Sequence, residues 1–473
     1  LFITFQTTMA LGTVGGLSVA LPTITDEFDT NIATTVWVML AYSLALAGGT
    51  FAMGKATTLL EKRKLITIGL AADVALLVFI FYTHNIYLFI GARFLSAFFR
   101  IYPWMILQVM GVGGFPPNKR GKVLGIMGVV QGLGIMLSIP IAGFVTEYVG
   151  WRWLFMGSAW AFALQIVLVW LVLPRLDPPK DAPPLRISQF DIPGSSMMMM
   201  GVVSLLAGLQ IFIRGSAQDI VIILSVAAAI SLGAFIWIET HTKTPIVPFA
   251  VFKIRGVLRG TIQAVTAGWM TGSLQLLLPF LFVVGFGWSV AYAASIMFFM
   301  GVGRPVARFV GGWASDRYGN SAVIVTAGLI AAVGQILIST LHVDPAMAVI
   351  ISALLLIGLG QAAMQTANQR QIFNSIPAGQ LHLAPSVSLV LTTSGSSIGL
   401  AFVGAALGTG VSTDAVTGIA NVAIIDHATT ALHVVTVVLL VGLATALILP
   451  RFLPKTPESE EATEDQTPKA RSS

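Results

Sequence analysis

Cysteine is absent from the 473 residues, which excludes disulfides and thiolate sites and leaves redox chemistry silent about the compartment. Charge is scarce as well. Asp, Glu, Lys and Arg make up 10% of the chain, against about 25% in an ordinary soluble domain, too little to cover a soluble surface. No phosphate-binding Gly-x-x-x-x-Gly-Lys-Ser/Thr loop occurs, which counts against ATP-driven work. The six histidines form no close ligand pair and no nucleophile triad is visible, so no enzyme activity, metal or cofactor is expected. What fills the chain is apolar: 56% of residues are hydrophobic and the mean hydropathy is +0.87.

A hydrocarbon core needs roughly 20 apolar residues per helix. Fourteen stretches reach that length, near residues 1–21, 35–54, 65–83, 86–109, 123–145, 151–173, 194–213, 219–238, 257–283, 290–313, 322–341, 346–369, 387–410 and 429–449. Basic residues fall in every second connection: Lys55, Lys62, Arg63 and Lys64; Lys119, Arg120 and Lys122; Arg175, Lys180 and Arg186; Lys243, Lys253 and Arg255; Arg317; Arg370; and Arg451 onward. The opposite connections hold little beyond Arg152 and Arg214. Short basic loops stay on the cytoplasmic side, so both termini are expected inside and the span count is even. The net charge of +6 needs no nucleic-acid partner, because anionic lipid faces the basic side. The chain opens at Leu1, already inside the first span, and a few further residues are expected ahead of it.

A weak internal repeat organises these spans. Gly54 and the Lys62-Arg63-Lys64 cluster lie between spans 2 and 3, and Gly312 to Gly319 lie between spans 10 and 11. Equivalent turns in two halves make 1–173 an N-terminal six-helix bundle and 257–449 a C-terminal one. Residues 194–256 are then an inserted helix pair with its loop. The proline-rich stretch 174–193 reads as a stiff cytoplasmic linker, and the acidic tail 450–473 as disordered.

The residues carry a family resemblance. Gly312-Trp313-Ala314-Ser315-Asp316-Arg317-Tyr318-Gly319 is similar to the Gly-x-Leu-Ala-Asp-Arg-x-Gly signature of the major facilitator superfamily. Ala20-Leu21-Pro22, Trp37-Val38 with Ala41-Tyr42, Arg93, Phe115-Pro116-Pro117 with Arg120-Gly121, Trp151 to Phe155, and Asp191 with Gly194 follow in the order of its fourteen-helix drug:proton antiporter branch. The resemblance implies an all-α integral membrane fold of two six-helix bundles plus two inserted helices, rocking about a substrate site near the bilayer midplane. The chain departs from the branch at telling positions. Thr13 stands where the branch has a membrane-embedded acid, Ser18 where it has an asparagine, Thr58 and Glu61 where the first loop copy has Asp and Gly, and Ser96-Ala97 where it has Gln-Gly.

Charges within spans carry the sharpest information, since each costs about 2.5 to 3.5 kcal/mol at a helix centre on the insertion scale. Arg93 and Arg100, almost two turns apart in span 4, share a face with Ser96 and Ala97. Arg100, near mid-span in a helix that lines the cavity in the family, suits a polar or anionic substrate group or a nearby proton site. Pairing to Asp73 or to backbone carbonyls is the structural alternative for both arginines, and Arg93 is read as a buried structural charge. Asp73 is the proton-coupling candidate by elimination, with a structural ion pair as the other reading. Gln361, Gln365 and Asn368 form an amide stripe suited to a cavity wall, or to bonding between helices. Gln263 and Trp269, with Thr266, Met270 and Ser273, make a looser set in span 9, which Pro279 should kink. The resemblance implies that Asp316 and Arg317 serve a conformational gate, which Arg304 and Arg308 either join or flank as simple positive-inside anchors. Small residues at Gly125, Gly128, Gly132 and Gly143, and again at Gly395, Gly399, Gly404 and Gly408, suit close helix packing.

Together these features predict a plasma-membrane secondary transporter that exports small amphipathic or drug-like molecules by proton antiport. A carrier for an anionic metabolite, or one not coupled to protons, is the alternative, and a non-transporting receptor or scaffold a third. The expected partners are a small-molecule substrate, a proton or other coupling ion and the lipid bilayer; the resemblance also allows an accessory periplasmic subunit.

Overall fold

The structure is a computed structural model that describes residues 16–46, 61–113, 133–134, 136–172, 192–213, 218–241, 254–341, 346–376, 384–408 and 422–449. The described residues are helical almost throughout and contain no strand. Fourteen elements follow one another: α1 (Leu17–Glu27), α2 (Trp37–Leu46), α3 (Lys62–Tyr82), α4 (Ile86–Gly113), α5 (136–148), α6 (Arg152–Val172), α7 (Ile192–Ile213), α8 (Gln218–His241), α9 (Arg255–Gly285), α10 (Val290–Tyr318), α11 (Asn320–Ser339), α12 (Met347–Ser375), α13 (Ala384–Gly408) and α14 (Val422–Ile448). In lipid every backbone N–H and C=O must be satisfied within the segment, which leaves the helix as the form these apolar stretches can take.

Among the described residues nine helices are long and apolar enough to cross a membrane. Large apolar side chains cover their outer faces, among them Ile68, Trp160, Leu171, Ile223, Trp237, Phe309 and Val437. Such a surface belongs against lipid rather than water. Several helices run past the apolar stretch that announced them. α12 continues to Ser375 and α10 to Tyr318, because helical hydrogen bonding persists through polar interfacial residues such as Arg370 and Asp316.

Helices α1 to α6 and α9 to α14 form the two six-helix bundles, with α7 and α8 inserted between them. The inserted helices pack on each other where Gly201 meets Leu232 and Gly208 meets Leu224. Met198 and Phe235 then seat the pair against Val387 and Val390 of α13. Within the C-terminal bundle, α9 and α13 approach until a Cβ on Gly395 would lie 2.1 Å from the Val265 carbonyl oxygen. A Cβ on Gly268 would lie equally close to that of Thr392.

Pro279 does not end α9. The helix widens into a π turn over Leu281–Gly285, closed by Phe286 N donating to Leu281 O at 2.9 Å, which accommodates the missing proline N–H.

The bundles meet at the end away from the basic turns. There, the Glu147 carboxylate of α5 accepts a 2.7 Å hydrogen bond from the Ala291 backbone N–H in the first turn of α10. Gly143 of α5 lies so close to α10 that a Cβ would fall 2.2 Å from that of Ala294, and Gly404 of α13 abuts Val36 just ahead of α2. Thr13, Thr58, Gly125, Gly128 and Gly132, linker residues 174–191 and the tail lie outside the described residues, whereas the linker's last two, Ile192 and Pro193, already open α7.

Candidate functional site: buried charges and mid-membrane amides

Two polar clusters sit inside the bundles. The first lies between α3 and α4, an antiparallel pair that closes tightly at Gly69. A Cβ there would meet the Phe99 carbonyl oxygen at 2.8 Å, the same carbonyl that Pro103 leaves without its helical donor. One turn beyond Gly69, the fully buried Asp73 accepts hydrogen bonds from Ser96 Oγ on one oxygen and from Arg100 Nε at 2.8 Å on the other. Arg100 Nη2 approaches that second oxygen at 2.8 Å as well. Both carboxylate oxygens are therefore engaged.

Aromatic rings carry the rest of the charge. The Arg93 guanidinium stands 4.3 Å from the centre of the Tyr42 ring and 5.6 Å from that of Phe155. Arg100 stands 4.8 Å from Phe162. Arg93 is 1% exposed, and its Nε and Nη1 have no hydrogen-bond partner among the described residues. Cation–π contact with desolvated rings is worth about 2 kcal/mol or more and partly replaces the missing acceptors. Two guanidinium groups against one carboxylate leave this cluster with a net positive charge.

The second cluster joins three helices of the C-terminal bundle. Arg304 Nη2 of α10 donates to Gln361 Oε1 of α12 at 2.7 Å. Gln361 Nε2 donates in turn to Thr271 Oγ1 of α9 at 2.7 Å, and Thr271 closes the chain on its own helix through the Ala267 carbonyl.

The other sequence-predicted residues divide. Asn368, oriented to satisfy both ends of its amide, donates to Gly260 O at 3.1 Å and accepts from Ala264 N at 3.2 Å, so it binds α12 to α9. Gln365 is half-buried and forms no hydrogen bond to the described residues. Gln263 is buried with neither amide atom partnered among them. It shares the stripe of α9 occupied by Arg259 and Thr266, both of which touch α14. Trp269 lays its ring 5.2 Å from that of Phe402 on α13. Asp316 pairs with Arg370 of α12, which also donates to the Gly312 carbonyl. Arg317 instead lies near the rings of Trp313 and Tyr318.

From the sequence alone Arg304 groups with the cytoplasmic network and Arg370 reads only as an inside charge. Position was the missed signal: Arg304 and Gln361 are each the central residue of a 29-residue helix. A second ion pair, Glu27 with Arg152, ties α1 to α6 at the end away from the basic turns, and Trp151 Nε1 donates to the same carboxylate.

Paired six-helix bundles enclosing polar groups at the middle of long apolar helices define a helical solute transporter. The chain belongs to the Major Facilitator Superfamily, whose sequence profile matches residues 2–400. It is 26% identical over 418 residues to the multidrug transporter protein MdtP of Bacillus subtilis (strain 168), covering 84% of this chain and 72% of MdtP. It is 24% identical over 390 residues to the riboflavin transporter RibZ of Clostridioides difficile (strain 630), covering 82% of each. The crystal structure of a POT family transporter in complex with a thioalcohol-conjugated peptide shares the fold at a TM-score of 0.68 and 14% identity, covering 94% of this chain and 95% of that one. The family and these relatives are transporters, not enzymes.

Proposed function

We propose that this protein exports small amphipathic molecules across the plasma membrane by alternating access, drawing on a proton gradient. The observation that carries the proposal is the Arg304–Gln361–Thr271 chain at mid-membrane depth, in bundles pressed together at one end by Glu147 and Gly143. A polar wall at that depth suits a solute binding halfway across, and a glycine-lined seam suits bundles that rock. That MdtP is a multidrug transporter and RibZ a riboflavin transporter supports the same class of cargo.

In this reading 1–173 and 257–449 are the moving bundles, 174–193 links them with 194–256 as an inserted pair, and both termini are cytoplasmic. Gln361 and Gln365 line the site with Trp269. Asn368 holds α12 on α9, and Gln263 fills the space toward α14. Asp316 with Arg370 fastens the basic end, while Arg317 anchors it beside lipid headgroups.

A second reading, a carrier not coupled to protons, is favoured by the hydrogen bonds of both Asp73 oxygens to Ser96 and Arg100, which suit a structural role for this carboxylate. Flux of the cationic dye rhodamine 123 in proteoliposomes separates the two. Proton antiport requires flux that rises with an imposed pH gradient and collapses with a protonophore. Flux indifferent to both supports uncoupled transport, and no flux of any dye in a chemically varied panel contradicts the proposal.

A further inference from the structure

Arg304 sits where an isolated cation is least tolerated, at the middle of α10. The exposed stripe of that helix, Val306, Phe309, Val310 and Trp313, faces lipid. At 100° per residue Arg304 lies on the opposite side, with Ala307 and Gly311, which are buried. Its guanidinium therefore points into the protein, where it is half-buried and spends one N–H on Gln361. Its other donors meet no acceptor among the described residues, and Nε is wholly buried without one.

No carboxylate among the described residues of the C-terminal bundle answers this charge. Asp316 is bound to Arg370 near the basic end, and Asp426 lies exposed in the first turns of α14. Pro305 lacks the N–H that would reach the Gly301 carbonyl, and a turn at Gly303, itself in helical conformation, joins Val290–Val302 to Arg304–Tyr318.

We propose that Arg304 is a substrate-binding residue and that the transported molecule offers it an anionic oxygen, a carboxylate or comparable oxyanion. This rests on the transport reading above and adds to it a preference for amphipathic organic anions. Gln361 is the positioning residue: held between Thr271 and Arg304, it fixes one edge of the guanidinium and leaves the remaining edges for a two-point contact with the oxyanion.

Fluorescein and rhodamine 123 share a ring system and differ in the sign of their charge, which makes them the probes. In proteoliposomes of the full chain, Arg304→Gln should lower fluorescein flux at least about tenfold, the range expected for loss of one charged hydrogen-bonding group, and Arg304→Lys should fall between. Rhodamine 123 flux should fall by a clearly smaller factor, so that the ratio of fluorescein to rhodamine 123 flux drops. Unchanged fluorescein flux in Arg304→Gln, or equal loss of both dyes, overturns the proposal. A wild type that moves rhodamine 123 but not fluorescein overturns it while leaving the transport reading intact. Competition in the wild type is independent of how the variants fold: benzoate should suppress fluorescein flux and benzamide should not, and equal competition by both overturns the assignment.

Discussion

At Asp73 one carboxylate holds Arg100 in place while Arg93, with no carboxylate of its own, rests on Tyr42 and Phe155. Removing one partner of a buried pair strands the other, at a cost of about 3 to 5 kcal/mol. Asp73→Ala is therefore expected to lower the melting temperature of the purified protein sharply. The double variant Asp73→Leu with Arg100→Met should recover most of that loss, because an apolar pair of similar bulk carries no desolvation penalty. Equal melting temperatures for wild type and Asp73→Ala would mean that the pair contributes nothing to folding. Tyr42→Leu tests the ring contact in the same assay, with an expected loss of about 2 kcal/mol. The Asp73 to Arg100 pairing was open to sequence reading as one alternative, since two charges in successive spans must find each other or water. The ring contacts were not, because Phe155 and Phe162 on α6 look like any other lipid-facing or core aromatics until the helices are packed.

Among the elements, α5 and α10 make the most consequential seam. Gly143 permits a backbone approach that any side chain would block, so Gly143→Leu is expected to wedge the helices apart, at about 1 to 3 kcal/mol of overpacking, and favour the state open at that end. The chain has no native cysteine, so a single cysteine at Ser289, exposed at the start of α10, reports the state cleanly. Its labelling by a membrane-impermeant maleimide should accelerate when Gly143→Leu is added; an unchanged rate would contradict the role given to the seam. Glu147→Ala removes the acceptor for the Ala291 N–H and should act in the same direction, more weakly.

Most spans were legible at this scale because twenty apolar residues in a row have no other use. Their ends and internal irregularities were less so. The π turn at Leu281–Gly285 and the turn at Gly303 depend on how a proline is absorbed by its neighbours. The partners of Arg304 depend on which face α12 turns toward α10, and that is set by the fit of Gly311 against Ala363.

For the whole molecule, the pairing of Asp316 with Arg370 ties α10 to α12 at the basic end, and the Glu147 contact ties the bundles at the other. An alternating-access cycle requires the two ends of the central cavity to open in turn, since a carrier open at both at once would dissipate the gradient that drives it. The most direct measurement places spin labels in two pairs, Val149→Cys with Ser289→Cys at one end and Lys64→Cys with Asn374→Cys at the other, all exposed positions. Distances are then read by pulsed electron resonance with and without fluorescein or rhodamine 123. Two populations are expected in which one pair separates as the other closes, with at least one dye shifting their proportions. Both distances fixed, or both changing in the same sense, would contradict it.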